Sequence, residues 1–434
     1  MDPPSDTPAP SSGNPWPEGG ALSSRDGVVR PLAVPAEAGA AFILTLARAL
    51  HSYGASAHRL EAMLVLVARR LGLEARFYST PTAVLASFGR GADERTSLVR
   101  VEPGELNLEK LSLLQDAAVR VIRGELDVDK GRVSVARIVA QKPRFGAVAT
   151  TACFGISSAS AAVFFGGGPP EIAVSGVVGL GVGLIAGAWG RMAGGATLLE
   201  PIAASFAAVA AALAARAIPL APLVVTLAGI VTLLPGLAIT TAMTELSTRN
   251  LASGTARFAG ASVSLLGLGF GVALGSRIVG ALPAAPGAPV LAGEPPPALV
   301  VGAVVVASLA FAVLLQARPR DVGWIVLAGA LAFAGARAGA ALLGPELGAL
   351  LGALLVGVGA NLFARVFDRP SATMLVPGLL VLVPGSVGLR GVFSLLEQDV
   401  VTGVAAAFRM VLVAMAIVAG ILFANVALPA RRAL

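Results

Sequence analysis

A chain of 434 residues that is 56% hydrophobic and only 13% charged excludes an ordinary soluble enzyme, in which roughly a quarter of residues carry charge. The net charge of +7 does not point to nucleic acid, because the basic residues stand beside apolar segments, as they do on the cytoplasmic side of membrane proteins. The single cysteine, Cys153, excludes an intrachain disulfide and a cysteine zinc cluster.

Residues 1–35, rich in Pro, Ser and Gly, read as a disordered tail without the basic-then-apolar pattern of a signal peptide. Residues 36–142 read as a small α+β domain. Ala36 to Tyr53 and Ser56 to Leu71 predict two amphipathic helices meeting at Gly54. "EARFYST", "TAVLASFG" and "RTSLVRVE" predict three short strands. "NLEKLSLLQDAAVRVIRGEL" predicts a helix capped by Asn107.

From Phe145 onward the apolar runs are serial. They predict ten spans, at about 145–167, 171–190, 196–217, 219–245, 254–281, 298–317, 321–343, 345–366, 370–392 and 400–428, each near the roughly 20 residues that a bilayer requires. Residues 283–297 read as a loop between a first unit (143–282) and a second (298–434, ending in a short basic C-terminus). Lys130, Arg132, Arg137, Lys142 and Arg144 precede the first span. Arg191, Arg249, Arg257, Arg318, Arg320, Arg365, Arg369, Arg431 and Arg432 fall on the same side, and Arg216, Arg277 and Arg390 on the other. This asymmetry places the N-terminal domain and both termini in the cytoplasm; the expected location is the cell (inner) membrane.

Pro-Gly pairs interrupt the fourth and ninth spans, at Pro235-Gly236 and Pro384-Gly385, 149 positions apart (384 − 235). The same offset carries 196–217 onto 345–366. Five spans per unit is an odd number, so the second unit enters from the opposite face. The expected fold is an α-helical polytopic membrane protein of 5+5 inverted repeats behind a small cytoplasmic α+β domain. Interrupted helices at matching positions of inverted repeats point to a secondary transporter and its site.

Proline removes a backbone donor, glycine tolerates unusual dihedrals, and in hydrocarbon the freed groups must be buried in protein or line a wet cavity. Pro235, Gly236, Pro384 and Gly385 are therefore candidate substrate-binding positions. Thr240 and Thr241 follow the first break; Ser386 and Arg390 follow the second. The competing reading is a packing kink. Arg337 and Asn361 are candidate substrate contacts inside spans, and Glu200 and Glu245 candidate proton carriers. The alternative for these is a location near an interface, or internal pairing. His58 and Glu61 share a helix face, but zinc wants at least three good ligands. No metal, cofactor or enzyme activity is expected, and no Walker motif offers ATP-driven transport.

One family carries these features together. Gly54-Ala55, Ala57, Arg59-Leu60-Glu61 and Thr80-Pro81-Thr82 resemble the N-terminal domain of bacterial threonine/serine exporters, whose pattern runs Gly-Ala-x-Thr-x-Arg-Val-Glu and then Thr-Pro-Thr. "LLPGLAITTAMTELSTRNLASGTAR" and "LVPGLLVLVPGSVGLRGV" are similar to the family's two Pro-Gly signatures. The chain departs at Ala57, where the family usually has Thr, and at Glu245, where it often has Asp. The resemblance spans about 36–428. It implies export of L-threonine or L-serine driven by the proton-motive force, with a small amino acid, protons and the lipid bilayer as partners. A homo-oligomer is left open. A split relative of the family resembles a dicarboxylate exporter, so succinate is the alternative substrate. A tethered enzyme or sensor domain is the third reading.

Overall fold

The computed structural model describes residues 34–102, 104–190, 198–280, 295–382, 385–396 and 399–429. The expected tail (1–35) and loop (283–297) lie almost wholly outside them.

The N-terminal unit comprises α1 (Ala36–Ser52), α2 (Ala57–Arg70), strands β1 (Ala75–Thr80), β2 (Ala83–Phe88) and β3 (Arg95–Arg100), α3 (Leu108–Arg123) and α4 (Val128–Ala140). The strands form one antiparallel sheet in the order β1-β2-β3. Phe42, Ile43, Leu46, Leu60, Leu64, Leu114 and Val121 make a closed core. Asn107 caps α3 by accepting the Lys110 N–H at 2.9 Å, and left-handed Gly124 ends it. Helix α4 was not expected. Its charges mask a stripe of Val128, Val135 and Ile138 that packs into the core.

Helices α5 (Ala147–Phe164), α6 (Pro169–Trp189), α7 (Leu199–Ala217), α8 (Pro222–Gly229), α9 (Gly236–Ser247) and α10 (Leu251–Gly280) form a first set. A second set comprises α11 (Pro297–Leu314), α12 (Val322–Leu343), α13 (Gly348–Phe367), α14 (Ala372–Leu382), α15 (Gly385–Leu396) and α16 (Val400–Ala427). Among the described residues nine segments are long and apolar enough to cross a membrane, with Ala372–Val392 taken as one. Helices α8 and α9, bent by 47° about the turn at Val231–Leu233, bring the number to ten.

The same close approaches recur in both sets. Gly271 of α10 lies against the Pro201 carbonyl and Ala204 of α7, and Gly420 of α16 against the Leu350 carbonyl and Ala353 of α13. Both equivalences carry the offset 149 (420 − 271, 350 − 201). Gly179 sits under Ser158 as Gly329 sits under Ser308. There the offset is 150 (329 − 179, 308 − 158), so one residue separates the registers of the early and late helices. Acidic clamps repeat as well. Buried Glu171 accepts the Gly168 and Ala221 N–H groups, each at 2.9 Å; buried Asp321, at offset 150, holds Arg369 at 2.7 Å. Each ties the start of one helix to the loop after the next.

The N-terminal unit is bonded to both sets. The Leu108 and Glu109 N–H groups, at the start of α3, donate to the Leu315 and Gln316 carbonyls at 3.0 and 3.3 Å. The orphan donors of one helix thus satisfy orphan acceptors of another. Gln316 itself accepts the Phe145 N–H at 2.9 Å and returns a bond to the Phe145 carbonyl at 3.2 Å. The contact with the first set runs through Glu245.

Candidate transport site

The first break lies between the end of α8 and the start of α9, with Pro235 at the N-cap. The second lies between α14 and α15; Pro384 falls outside the described residues. Pro377 makes no break and stays inside α14. The two breaks meet. A side chain at Gly385 would stand 3.0 Å from the Leu234 Cβ and 3.6 Å from the Gly236 Cα. Helices α9 and α15 therefore both begin where the two sets touch, and the N–H groups of a helix's first turn have no partner within that helix. Helix N-termini favour negative charge.

Two hydroxyls that follow the first break are left as acceptors. The Thr240 and Thr244 hydroxyls donate to the Gly236 and Thr240 carbonyls, at 3.1 and 2.8 Å, and keep lone pairs. Thr240 is buried, Thr241 and Ser386 half-buried. The Thr232 hydroxyl, within the first break, is buried with no hydrogen-bond partner. Further along α15, Arg390 lies 5.4 Å from the centre of the Phe165 ring. It enters a cleft of about 520 Å³ lined also by Thr226, Ser276, Ser394 and Thr402.

The two candidate proton carriers differ in setting. Glu245 has no exposed surface. Its carboxylate accepts the Ala57 N–H at 3.1 Å, the Ser253 hydroxyl at 2.9 Å and the Arg257 Nε at 3.1 Å. It thereby caps α2 of the N-terminal unit from the end of α9. Half-buried Glu200, at the start of α7, accepts the Ser264 hydroxyl at 3.2 Å. Beside Glu245 stand His58, Arg59 and Glu61. Burial, then Arg59, lowers the His58 pKa from 6.5 to about 4, against an opposing pull from Glu245. Burial also lowers the Arg59 pKa and raises that of Glu61, whose carboxylate accepts the Ser79 N–H at 2.7 Å.

Two candidates have other surroundings. Arg337 is exposed on α12, a helix that packs on α11, α13 and α14. The Asn361 amide is engaged with the Asn425 side chain and the Leu428 carbonyl, both at 2.9 Å, which locks α13 to α16. Among the described residues no group of three or more His, Cys, Asp or Glu side chains is placed to hold a metal. Reading the sequence missed Glu171, Arg257 and Ser253. Glu171, three positions after Gly168, stands where a glutamate can reach back to the N-cap N–H. Arg257 and Ser253 gave none, because their partner lies across a turn.

Residues 41–279 match the family described as putative threonine/serine exporter, and residues 300–427 match a second model described as threonine/serine exporter. The chain belongs to the threonine/serine exporter family. Three relatives share the name pheromone-regulated membrane protein 10. That of Pichia sorbitophila is 30% identical over 247 residues, 55% of this chain and 25% of its own length. That of Saccharomyces cerevisiae is 29% identical over 247 residues, 55% of this chain and 32% of its own. That of Candida glabrata is 32% identical over 148 residues, 33% of this chain and 19% of its own. The chain thus spans a third or less of the length of these relatives. No solved structure matches it.

Proposed function

We propose that this member of the family is a secondary transporter that carries L-threonine and L-serine out of the cytoplasm, coupled to protons. In this reading the two helix sets are inverted repeats, the N-terminal unit and both termini are cytoplasmic, and the chain sits in the cell membrane. The observation that carries the proposal is the contact of Gly385 with Gly236 and Leu234. Two interrupted helices, one from each set, present their half-helix N-termini at one place. Backbone N–H groups there suit a substrate carboxylate, and the lone pairs of Thr240, Thr241 and Ser386 suit an ammonium or hydroxyl group. Pro384 would complete the second break. Glu200 and Glu245 are the carboxylates that would exchange protons.

The test is counterflow in proteoliposomes with labelled threonine, serine and succinate, with and without a pH gradient. Exchange of threonine and serine that accelerates with the gradient is the expected result. Exchange of succinate alone moves the assignment to a dicarboxylate exporter. Absence of flux for all three removes export. Glu200→Gln and Glu245→Gln then locate the coupling, since unchanged pH dependence in both would remove them as carriers.

A further inference from the structure

The cleft at Arg390 is separate from the meeting point of the breaks, and its lining has a chemistry of its own. Arg390 lies five residues beyond Gly385 on α15, about 7 Å along the helix axis. It is the one charged side chain among the described residues lining the cleft. The Phe165 ring, 5.4 Å away, gives the guanidinium a seat. The other polar groups are hydroxyls, two of which have spent their protons within their own helices. Thr226 donates to the Pro222 carbonyl at 2.8 Å and Ser394 to the Arg390 carbonyl at 3.2 Å. They are left as acceptors. One arginine donor with the acceptor hydroxyls of Thr226 and Ser394 in the same cleft complements a molecule with a carboxylate and an ammonium group, whereas a second carboxylate would face those lone pairs. The volume of about 520 Å³ falls in the range of small-molecule pockets. Thr226 and Ser276 belong to the first helix set; Arg390, Ser394 and Thr402 belong to the second.

We infer that this cleft is a second amino-acid site, on the face opposite the N-terminal unit, where Arg390 grips the α-carboxylate with a two-pronged hydrogen bond and the Thr226 and Ser394 hydroxyls accept from the α-ammonium. The inference rests on the export reading for its direction: the site receives substrate after it leaves the breaks. A two-pronged grip is specific to arginine, because lysine presents only a point charge.

The experiment uses the full chain in proteoliposomes, with Cys153→Ala as background and Ala212→Cys in the cleft wall as reporter. A membrane-impermeant thiol reagent is added in the presence of L-threonine, threoninol or succinate. L-threonine should slow modification at least fivefold, and threoninol and succinate should not. Arg390→Gln should abolish the protection, and Arg390→Lys should weaken it about tenfold in the threonine concentration required. If the Gln variant fails to fold, the Lys variant alone decides. Equal protection by threoninol, protection that survives in Arg390→Gln, undiminished protection in Arg390→Lys, or no protection in a protein that exchanges threonine would each overturn the site. Protection by threonine in a protein without threonine counterflow would keep the site and remove the export reading, so the two failures are distinct.

Discussion

At Glu245 a carboxylate with no exposed surface is held by one cation, one hydroxyl and one backbone N–H. Taking its cation away leaves a buried charge uncompensated, which costs about 3–5 kcal/mol, while removing both charges together is often close to neutral. Arg257→Met should therefore lower thermal stability by about that amount, and Glu245→Gln with Arg257→Met should recover most of it. Additive losses in the double variant would show that the pair is not coupled. Next to it, His58 titrates against the same contact. Folded His58 has a pKa of about 4 against 6.5 in the unfolded chain. Between those values the unfolded chain binds the extra proton, so this contribution is complete above about pH 6.5 and is lost as the pH falls toward 4. Glu61, with its pKa raised by burial, works in the opposite sense. Hydrogen-exchange protection around Ala57, corrected for the intrinsic rate at each pH, should fall on acidification over that window, and His58→Gln should flatten the response; an unchanged slope would exonerate the histidine. Gln316 offers a third case. It occupies the left-handed region at φ 52, and Gly166, 150 positions earlier, occupies it at φ 79. A glycine there would relieve about 1 kcal/mol but forfeit two hydrogen bonds worth about 0.5–1.5 kcal/mol each. Gln316→Gly should thus be nearly neutral or slightly destabilising overall, yet raise exchange at Phe145 and along the start of α3.

Among the elements, the interruptions were legible because Pro and Gly carry their backbone consequences wherever they stand. Their meeting was not legible, since contact between α9 and α15 depends on how the two helix sets fold over one another. Nor did proline alone decide: Pro377 stays within α14, whereas Pro235 opens α9 after a turn. Helix α4 escaped notice because its buried stripe is only three residues wide. The candidate polar residues fared unevenly for the same reason. Sequence position marks Asn361 as intramembrane, but only packing reveals that Asn425 takes its amide. At the break itself a Cβ added to Gly385 would stand 3.0 Å from the Leu234 Cβ, and the three carbons of a valine side chain do not fit there. Gly385→Val should cut counterflow at least tenfold while the protein stays folded, with a stability loss of about 1–3 kcal/mol. Normal flux in that variant would separate transport from the contact of the breaks.

Over the whole molecule, the offset of 149 read from the Pro-Gly pairs recurs in the packing of α7 on α10 and of α13 on α16. The early helices needed 150, a one-residue change that no identity in a chain so rich in Ala and Gly could mark. The repetition makes a paired prediction. Gly271→Leu and Gly420→Leu each drive a side chain into a backbone carbonyl, at Pro201 and at Leu350, and should lower melting temperature to a similar degree. A large difference between them would mean that the two crossings do not bear equal loads.

The bond from Leu108 to Leu315 also sets a timetable. Its partners are 207 residues apart (315 − 108), so at 5–20 residues per second the carbonyl is synthesised about 10–40 seconds after the N–H that it accepts. Glu245 follows Ala57 by 188 residues. The N-terminal unit has its core residues complete by Ile138 and then waits through more than one hundred residues for either anchor. Its docking face is exposed throughout that interval, first to the half-made bundle and only later to the whole one. Ribosomes stalled before and after Leu315 would catch the two situations, with the start of α3 exchanging freely in the first and protected in the second.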